Sequence, residues 1–200
     1  MYQAEGNYAQ AEPLLCNALG MMENALGPTH PDVALILNSL AIVREKLGSY
    51  AEAESMFRRA LAINEKALGP EHPDVATTLG NLAGLEARQS KNINVEPLYL
   101  RALTILKKAL GPEHPKVATT LNNLGVFYEN EGKHRKAEKF FHQSLAISRK
   151  AYGLNHPEVE ASLTNLSRLY TSQGKRRQAS EMEAQASAIR AWLSTAYVAQ

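Results

Sequence analysis

One short phrase recurs four times along this 200-residue chain, at a constant spacing of 42 residues. It reads Gly-Pro-Thr-His-Pro at 27–31, Gly-Pro-Glu-His-Pro at 69–73 and 111–115, and Gly-Leu-Asn-His-Pro at 153–157. The copies at 67–79 and 109–121 are identical except that Lys116 replaces Asp74. A fixed period of roughly 20–50 residues is typical of solenoids, propellers and helical arrays, so the spacing alone restricts the fold to these architectures.

Each 42-residue repeat contains two stretches with the apolar spacing of an α-helix. Leu37 and Leu40 represent the first stretch, and Ala53 and Phe57 represent the second. Apolar residues three and four positions apart form one buried face of a helix. Each repeat is therefore predicted to be a pair of helices, which we call the A helix and the B helix. The predicted helices lie at about 8–26, 31–47, 51–68, 73–89, 94–110, 115–131, 134–152, 157–173 and 175–193.

Glycine and proline mark the ends of these predicted helices. Gly48, Gly132 and Gly174 follow A helices, and glycine adopts the positive φ that ends a helix without steric strain. The residue before a proline is pushed out of the helical region, so His72 is expected outside the helix that Pro73 begins. The histidines of the recurring phrase are therefore predicted to shape the turns between repeats.

The pattern predicts a single array over residues 1–200. Its parts are a partial repeat at 1–26, full repeats at 27–68, 69–110 and 111–152, a last repeat at 153–193 and a tail at 194–200. Because the chain opens inside a repeat, we expect a fragment of a longer protein, with Met1 to Glu5 as the end of a preceding helix. Leu15, Leu19 and Met22 are then expected to lack the helix that would cover them. Repeats that stack only on their neighbours form an elongated superhelix with a continuous core.

Paired helices with small residues such as Ala41 and Ala53 at their crossing, and an aromatic such as Phe57, resemble the tetratricopeptide repeat (TPR). The ordinary TPR period is about 34 residues. The longer repeat of this chain, with its Leu-Gly-Pro-x-His-Pro-x-Val-Ala linker and the Leu-Asn-Asn-Leu run at 121–124, is similar to those of kinesin light chains and their bacterial relatives. The resemblance extends over about 6–189. It implies an all-α, right-handed superhelical solenoid of antiparallel helix pairs.

Composition argues against several kinds of partner. The chain has 22 Lys and Arg against 20 Asp and Glu, and this net charge of +2 indicates no general attraction to nucleic acid or to an anionic membrane. No run of about 18 apolar residues is present, and Met1 does not open a signal sequence. The single Cys16 allows no internal disulfide, which fits a cytoplasmic protein. We expect it to be a partly buried structural thiol.

No pattern in the sequence predicts catalysis or a resident cofactor. His30, His72, His114 and His156 recur once per repeat. Equivalent positions in stacked helices lie on the order of 10 Å apart, whereas metal ligands converge to about 2.1 Å from one ion. We therefore predict no metal site at these histidines. Glycine-rich phosphate loops and His-Glu-x-x-His are missing too, so the sequence predicts neither an enzyme nor a cofactor.

The TPR resemblance implies that the A helices line a concave groove and that a peptide of a partner protein binds there. The residues predicted to face the groove lie on the A-helix stripe opposite the apolar one. They are Asn38, Ile42, Lys46, Gly84, Arg88, Asn122, Val126, Asn130, Thr164 and Arg168.

Two asparagines of this set have a specific role by resemblance. Asn38 and Asn122 stand where TPR proteins use an amide to hold the main chain of a peptide, and an amide both donates and accepts hydrogen bonds. A solvated helix face is the alternative interpretation. Asn81 and Asn165, together with Asn123, are instead expected to bond to the neighbouring helix and hold repeats together.

The charged members of the set leave the nature of the peptide open. Lys46, Arg88 and Arg168 would receive acidic side chains, and Gly84 would leave room for a bulky one. Peptides with an aromatic residue flanked by acids, as the kinesin-light-chain resemblance implies, would suit this lining, whereas Glu45 and the equivalent Glu129 argue against a strongly acidic ligand. An ordinary charged surface fits the same pattern.

The sequence therefore favours a non-catalytic scaffold that binds a peptide segment of a partner, as a cargo adaptor of the kinesin-light-chain type would, without nucleic acid or membrane. Two alternatives stay open. One is a structural self-association module that forms a homodimer through exposed terminal helices. The other is a regulatory repeat domain of a larger signalling protein.

Overall fold

A computed structural model of the chain describes residues 7–91 and 93–198, with side chains as far as Thr195. Within these residues it contains nine α-helices and no β-strand. They are α1 (Tyr8–Leu26), α2 (Pro31–Lys46), α3 (Tyr50–Leu68), α4 (Pro73–Arg88), α5 (Val95–Leu110), α6 (Pro115–Asn130), α7 (His134–Tyr152), α8 (Pro157–Ser172) and α9 (Arg176–Val198). The predicted all-α fold of repeated helix pairs is confirmed, with α2, α4, α6 and α8 as the A helices.

The observed helix boundaries lie within one residue of the predicted ones, except at the end of α9. This helix continues to Val198, so the predicted helix end at 193 was wrong. No glycine or proline follows Gly174, and good helix formers such as Ala191 and Leu193 continue the helix. Met1 to Glu5 lie outside the described residues.

Every A helix begins in the same way, at the His-Pro of the recurring phrase. The proline is the first helical residue, and the Nδ1 atom of the preceding histidine accepts a hydrogen bond from the N–H two residues further on, at 3.1–3.2 Å. A side chain that accepts from a first-turn N–H is an N-cap, which satisfies a donor that has no partner inside the helix. The histidines thus shape the turns as predicted, and each also caps the helix that follows it.

The turns from A helices to B helices require a left-handed backbone residue. Gly48 has φ 84° and Gly132 has φ 69° at this place. In the repeat that contains α4 and α5, Ser90 stands there with φ 58°. Because the left-handed conformation costs a non-glycine residue about 1–2 kcal/mol, this turn is the strained one.

The chain forms two compact units, 1–105 and 106–200, and their boundary falls within α5. In unit 1 the buried Ala41 of α2 packs with Ala53 and Phe57 of α3 and with Leu82 and Leu85 of α4. This cluster contains the small residues and the aromatic that the sequence placed at the helix crossing.

Unit 2 fills the equivalent crossing differently. Phe141 of α7 is fully buried and lies against Gly125 of α6. A Cβ atom at Gly125 would come within 2.5 Å of the Phe141 ring. The glycine is therefore needed for the close approach of the two helices, where unit 1 has Ala41.

The exposed face of α1 differs from the predicted one. Leu19 and Met22 pack against a buried cluster that includes Val33 of α2 and Ile63 of α3, so the prediction that they are uncovered was wrong. Leu14 and Met21 are instead the most exposed large apolar residues among those described on α1, with 56% and 73% of their surface accessible. The periodicity identified the apolar stripe but not which of its sides α2 and α3 cover.

Cys16 is exposed on α1, so the predicted partly buried thiol was wrong, because no helix among the described residues covers that side of α1. None of the helices in the described ranges combines the length and apolarity needed to cross a membrane.

Candidate functional site

The ten predicted binding residues lie on two surfaces, one in each compact unit. The unit 1 face is formed on α2 and α4 by Asn38, Ile42, Lys46, Gly84 and Arg88. The unit 2 face is formed on α6 and α8 by Asn122, Val126, Asn130, Thr164 and Arg168. Within each unit the two A helices contact one another. The structure therefore places each set of five on a pair of adjacent helices.

Asn38 is only 9% exposed, and its amide is engaged inside unit 1. Its Nδ2 donates to the carbonyl oxygen of Ala34 at 3.0 Å and to Thr78 Oγ1 at 2.9 Å. Its Oδ1 accepts from Asn81 Nδ2 at 3.5 Å. Both amide hydrogens are used, so Asn38 holds α2 to α4 and has no donor left for a peptide carbonyl.

Asn122 is the equivalent residue of unit 2, and it is engaged on one side only. Its Oδ1 accepts from Asn165 Nδ2 at 2.9 Å, while the side chain is half-buried. Among the described residues none accepts a hydrogen bond from its Nδ2, which leaves this donor for a ligand. The contacts of Asn81 and Asn165 confirm the prediction that these two residues bond to the neighbouring A helix.

Arg88 of the unit 1 face neutralises a buried carboxylate. Its Nε atom lies 2.6 Å from Glu45 Oε1, and the Glu45 side chain is only 7% exposed.

The hydroxyl of Tyr99 lies 3.4 Å from where a Cβ atom of Gly84 would stand. Burial raises the pKa of Tyr99 to about 12, with Arg88 opposing and Glu45 adding to the shift. Tyr99 thus occupies part of the space that Gly84 was expected to leave for a ligand.

Arg168 of the unit 2 face makes a bidentate ion pair with Glu129. Arg168 Nε donates to Glu129 Oε1 at 3.0 Å and Nη2 donates to Oε2 at 2.7 Å. This hydrogen bonding raises the pKa of Arg168, and the planar fork fits a carboxylate well. A ligand carboxylate that approached Arg88 or Arg168 would compete with Glu45 or Glu129 for the same guanidinium.

The remaining predicted residues keep part of their surface open. Ile42 and Val126 are half-buried, and Lys46 and Asn130 one turn further along are exposed. Thr164 is half-buried and its Oγ1 donates to Glu160 Oε1 at 2.9 Å. An apolar side chain followed by an exposed polar one therefore recurs on α2 and α6.

A cavity of about 130 Å³ opens in unit 1 between α2, α3 and α4. It is lined by Pro31, Asp32, Leu35, Asn38, Asn64, Asp74 and Thr77. The sequence analysis predicted neither this cavity nor a role for Asn64, Asp32 or Asp74 in binding. The repetition of an acidic residue at one repeat position on two adjacent A helices was the signal that pointed to it.

The histidines do not gather at either face. Each of the four caps its own A helix, and within the described ranges no three His, Cys, Asp or Glu side chains are arranged to hold a metal ion. The unit 1 and unit 2 faces consist of hydrogen-bonding, charged and apolar side chains. Side chains of these kinds can contact a protein segment.

The two units carry opposite charge, which the near-neutral total conceals. Residues 1–105 contain 8 Lys and Arg and 12 Asp and Glu, a net charge of −4. Residues 106–200 contain 14 Lys and Arg and 8 Asp and Glu, a net charge of +6. The net charge of its own unit, and not the net charge of the whole chain, therefore describes the electrostatic surroundings of each face.

Comparison with known proteins gives one family. The tetratricopeptide repeat model matches residues 1–66, 32–93, 83–138 and 117–191. Among solved structures, BtubC (BKLC) from P. vanneervenii is 27% identical, with a TM-score of 0.80 over 96% of this chain and 77% of that chain. No curated protein sequence matches the chain significantly.

Two further solved structures show the same arrangement of helices. A Podosopora anserina protein described as kinesin-light-chain-like, with nearly identical TPR-like repeats, is 27% identical, with a TM-score of 0.75 over 97% of this chain and 92% of that chain. MamA has a TM-score of 0.61 at 14% identity, over 97% and 95% of the two chains, a similarity of fold alone. The 42-residue spacing of the chain fits the helix pairs of the kinesin-light-chain-like structures.

Proposed function

Because the chain belongs to the tetratricopeptide repeat family, whose repeats generally mediate protein–protein interaction, we propose that it is a non-catalytic scaffold that binds a peptide segment of a partner protein. The segment lies along the A helices of one unit, in contact with the unit 1 face or with the unit 2 face. The partner is a protein, and the similarity to kinesin-light-chain-like structures supports a role as an adaptor.

One observation carries this proposal. On α6 the half-buried Asn122 and Val126 and the exposed Asn130 are spaced four residues apart and lie on one side, while Leu121, Leu124 and Tyr128 are buried on the other. Asn122 Nδ2 has no acceptor among the described residues, so the side offers a hydrogen-bond donor beside an apolar contact. An extended or short helical peptide uses both, because its carbonyl groups accept and its side chains pack.

The test starts from peptides selected on the full chain from a random displayed library. Their affinities are then measured for Val126→Arg and for the control Ala146→Arg, whose exposed position lies on the B helix α7. Arg168 stands 42 residues after Val126, so the repeat accommodates an arginine at this place. We expect Val126→Arg to weaken binding at least about tenfold, or roughly 1.4 kcal/mol.

Ala146→Arg should leave the affinity within about twofold of the parent protein, and Asn122→Ala should weaken binding by several-fold through the lost donor. Selected peptides that bind Val126→Arg and Asn122→Ala as tightly as the parent would exclude the unit 2 face. Thermal unfolding of each variant separates a lost contact from a lost fold.

Self-association is the second candidate function. Leu14 and Met21 are exposed seven residues apart on α1, and units of opposite charge favour attraction between copies of the chain. Sedimentation of the full chain at low salt should then show dimers that dissociate in Leu14→Glu/Met21→Glu. A monomer at every concentration would reject this candidate.

A further inference from the structure

We propose that the 130 Å³ cavity of unit 1 binds the cationic side chain of a lysine or arginine carried by the partner peptide. This inference rests on the proposed function, since the cavity is lined in part by Asn38 of the unit 1 face. It specifies that the peptide carries a cationic side chain where it meets the unit 1 face. The polar atoms, the size and the walls of the cavity each support it.

The hydrogen-bond network below the cavity settles the orientation of Asn64. Thr78 Oγ1 donates its only hydrogen to the carbonyl oxygen of Asp74 at 3.0 Å. Thr78 Oγ1 can therefore only accept, and it receives Asn38 Nδ2 at 2.9 Å and Asn64 Nδ2 at 3.4 Å. The Oδ1 atom of Asn64 consequently points away from Thr78.

Asn64 Oδ1 is an acceptor without a donor. The Asn64 side chain is 3% exposed and lines the cavity, and no described residue donates a hydrogen bond to its Oδ1. This oxygen is therefore available to accept a hydrogen bond from a donor that enters the cavity. Asn64 therefore selects for a ligand group that carries hydrogen.

Two carboxylates stand beside this acceptor. Asp32 and Asp74 line the cavity, and their side chains are 54% and 56% exposed. Their nearest basic atoms are Nδ1 of His30 and of His72, which already accept hydrogen bonds from the aspartate N–H groups and so cannot donate to the carboxylates. No Lys or Arg of the described ranges pairs with either residue. The cavity thus presents two negative charges and an amide oxygen, which suits a cation that donates hydrogen bonds.

The size and the walls favour a side chain over a bare ion. A volume of about 130 Å³ corresponds to roughly four water molecules, which is comparable to the four methylenes and the ammonium of lysine. Leu35, 67% exposed, and Pro31 supply apolar surface for the stem, while the charged head reaches the acceptors. Calcium takes about six to eight oxygen ligands, more than these side chains supply.

Unit 2 lacks this combination at the equivalent repeat positions. Lys116 stands where unit 1 has Asp32, Glu158 where it has Asp74, Ser148 where it has Asn64 and Thr119 where it has Leu35. The charges of Lys116 and Glu158 cancel, and the amide acceptor is missing. Selection for a cation is therefore a property of unit 1, and unit 2 provides the matched control.

The experiment uses the ¹⁵N-labelled full chain and Nα-acetyl-lysine methylamide as the probe. The derivative acetylated on Nε, which is neutral, is the control ligand. The probe should produce saturable shifts of the side-chain amide signals of Asn64 and Asn38, and the neutral derivative should not. Asp74→Lys should weaken the probe at least about tenfold, whereas Glu158→Lys, the same change at the equivalent position of unit 2, should leave it within about twofold.

Lys116 shows that a lysine is accommodated at this repeat position, so Asp74→Lys is expected to fold, and its amide spectrum checks this. The proposal is overturned if no signal saturates at about 50 mM probe, where even a millimolar site is filled. It is equally overturned if the neutral derivative produces the same shifts, or if Asp74→Lys binds as the parent does. Failure with lysine alone, while selected peptides still depend on Val126, would reject the cationic subsite and leave the proposed function intact.

Discussion

At one repeat position unit 1 has Asn64 and unit 2 has Ser148, and the two buried side chains have different surroundings. Asn64 joins Asn38 in donating to Thr78, whereas Ser148 Oγ is buried without a hydrogen-bond partner. The helices that carry them begin and end at corresponding residues, α3 with 19 residues and α7 with 19. The repeat therefore specifies where the helices lie, while the polar residues between the helices differ from one unit to the other.

The same distinction holds for the ion pairs. Glu45 and Glu129 occupy one repeat position, but their arginines come from different turns of the next A helix: Arg88 is the last residue of α4, and Arg168 lies four residues before the end of α8. Two units with one backbone plan thus present different surfaces. Binding specificity is expected to come from these differences rather than from what the repeats share.

The largest expected effect concerns the helix crossing. Gly125→Ala should destabilise the chain by about 2–3 kcal/mol, because its Cβ would lie 2.5 Å from the buried Phe141 ring. Gly80→Ala is the control, since no atom lies within 4 Å of its added Cβ, and it should stabilise the chain by up to about 1 kcal/mol. Urea unfolding measures both. A stabilising Gly125→Ala would mean that the crossings of the two units are alike.

The second effect separates the equivalent asparagines. Asn38→Ala should cost about 1–2 kcal/mol of unfolding free energy, since it removes the acceptor of Asn81 and a donor to Thr78. Asn122→Ala should cost about 0.5–1 kcal/mol, because this half-buried residue makes one such bond. Urea unfolding measures the free energy of unfolding of both variants. Equal losses would contradict the difference between the Asn38 amide, whose two hydrogens are both bonded within the chain, and the Asn122 amide, which makes one hydrogen bond.

The third effect appears at alkaline pH and concerns Tyr99 in unit 1. Its pKa is raised to about 12 in the folded chain, whereas an unfolded tyrosine ionises near about 10. Its contribution to stability is complete below about pH 10 and is lost as the pH rises to about 12, with an upper limit of roughly 2.7 kcal/mol. We expect Tyr99→Phe to lose about 1 kcal/mol less than the parent between about pH 9 and pH 11.5 in urea unfolding. Parallel losses would place the Tyr99 hydroxyl in solvent.

The smallest effect tests the starts of the A helices. Lys116 is the only basic residue at a position that is Asp32, Asp74 or Glu158 in the other A helices. Lys116→Asp should stabilise the chain by about 0.3–1 kcal/mol at low salt, because a negative charge in the first turn suits the helix dipole. The gain should shrink in about 1 M salt, where such charges are screened. A salt-independent change would indicate a direct contact instead.

The sequence predicted the parts of the molecule that repeat. Glycine and proline mark most of the helix ends, and every predicted end except that of α9 lies within one residue of the observed one, because these residues act through their own backbone. The burial of Leu19 and Met22, the saturation of Asn38 and the pairing of Arg88 with Glu45 depend on residues far away in the chain. No local pattern encodes such contacts, so the sequence could not show which of the predicted face residues already bond to other residues of the chain.

The histidine caps have a consequence for how such a chain can change its length. In each A helix the proline is the first helical residue, and the histidine before it accepts a hydrogen bond from the first turn. Each 42-residue repeat therefore contains the residues that start its own A helix. If one 42-residue copy is duplicated or deleted, the helix boundaries of the remaining copies therefore stay where they are. The residue after the proline has accordingly been free to become aspartate, lysine or glutamate, and the array can be lengthened and recharged copy by copy.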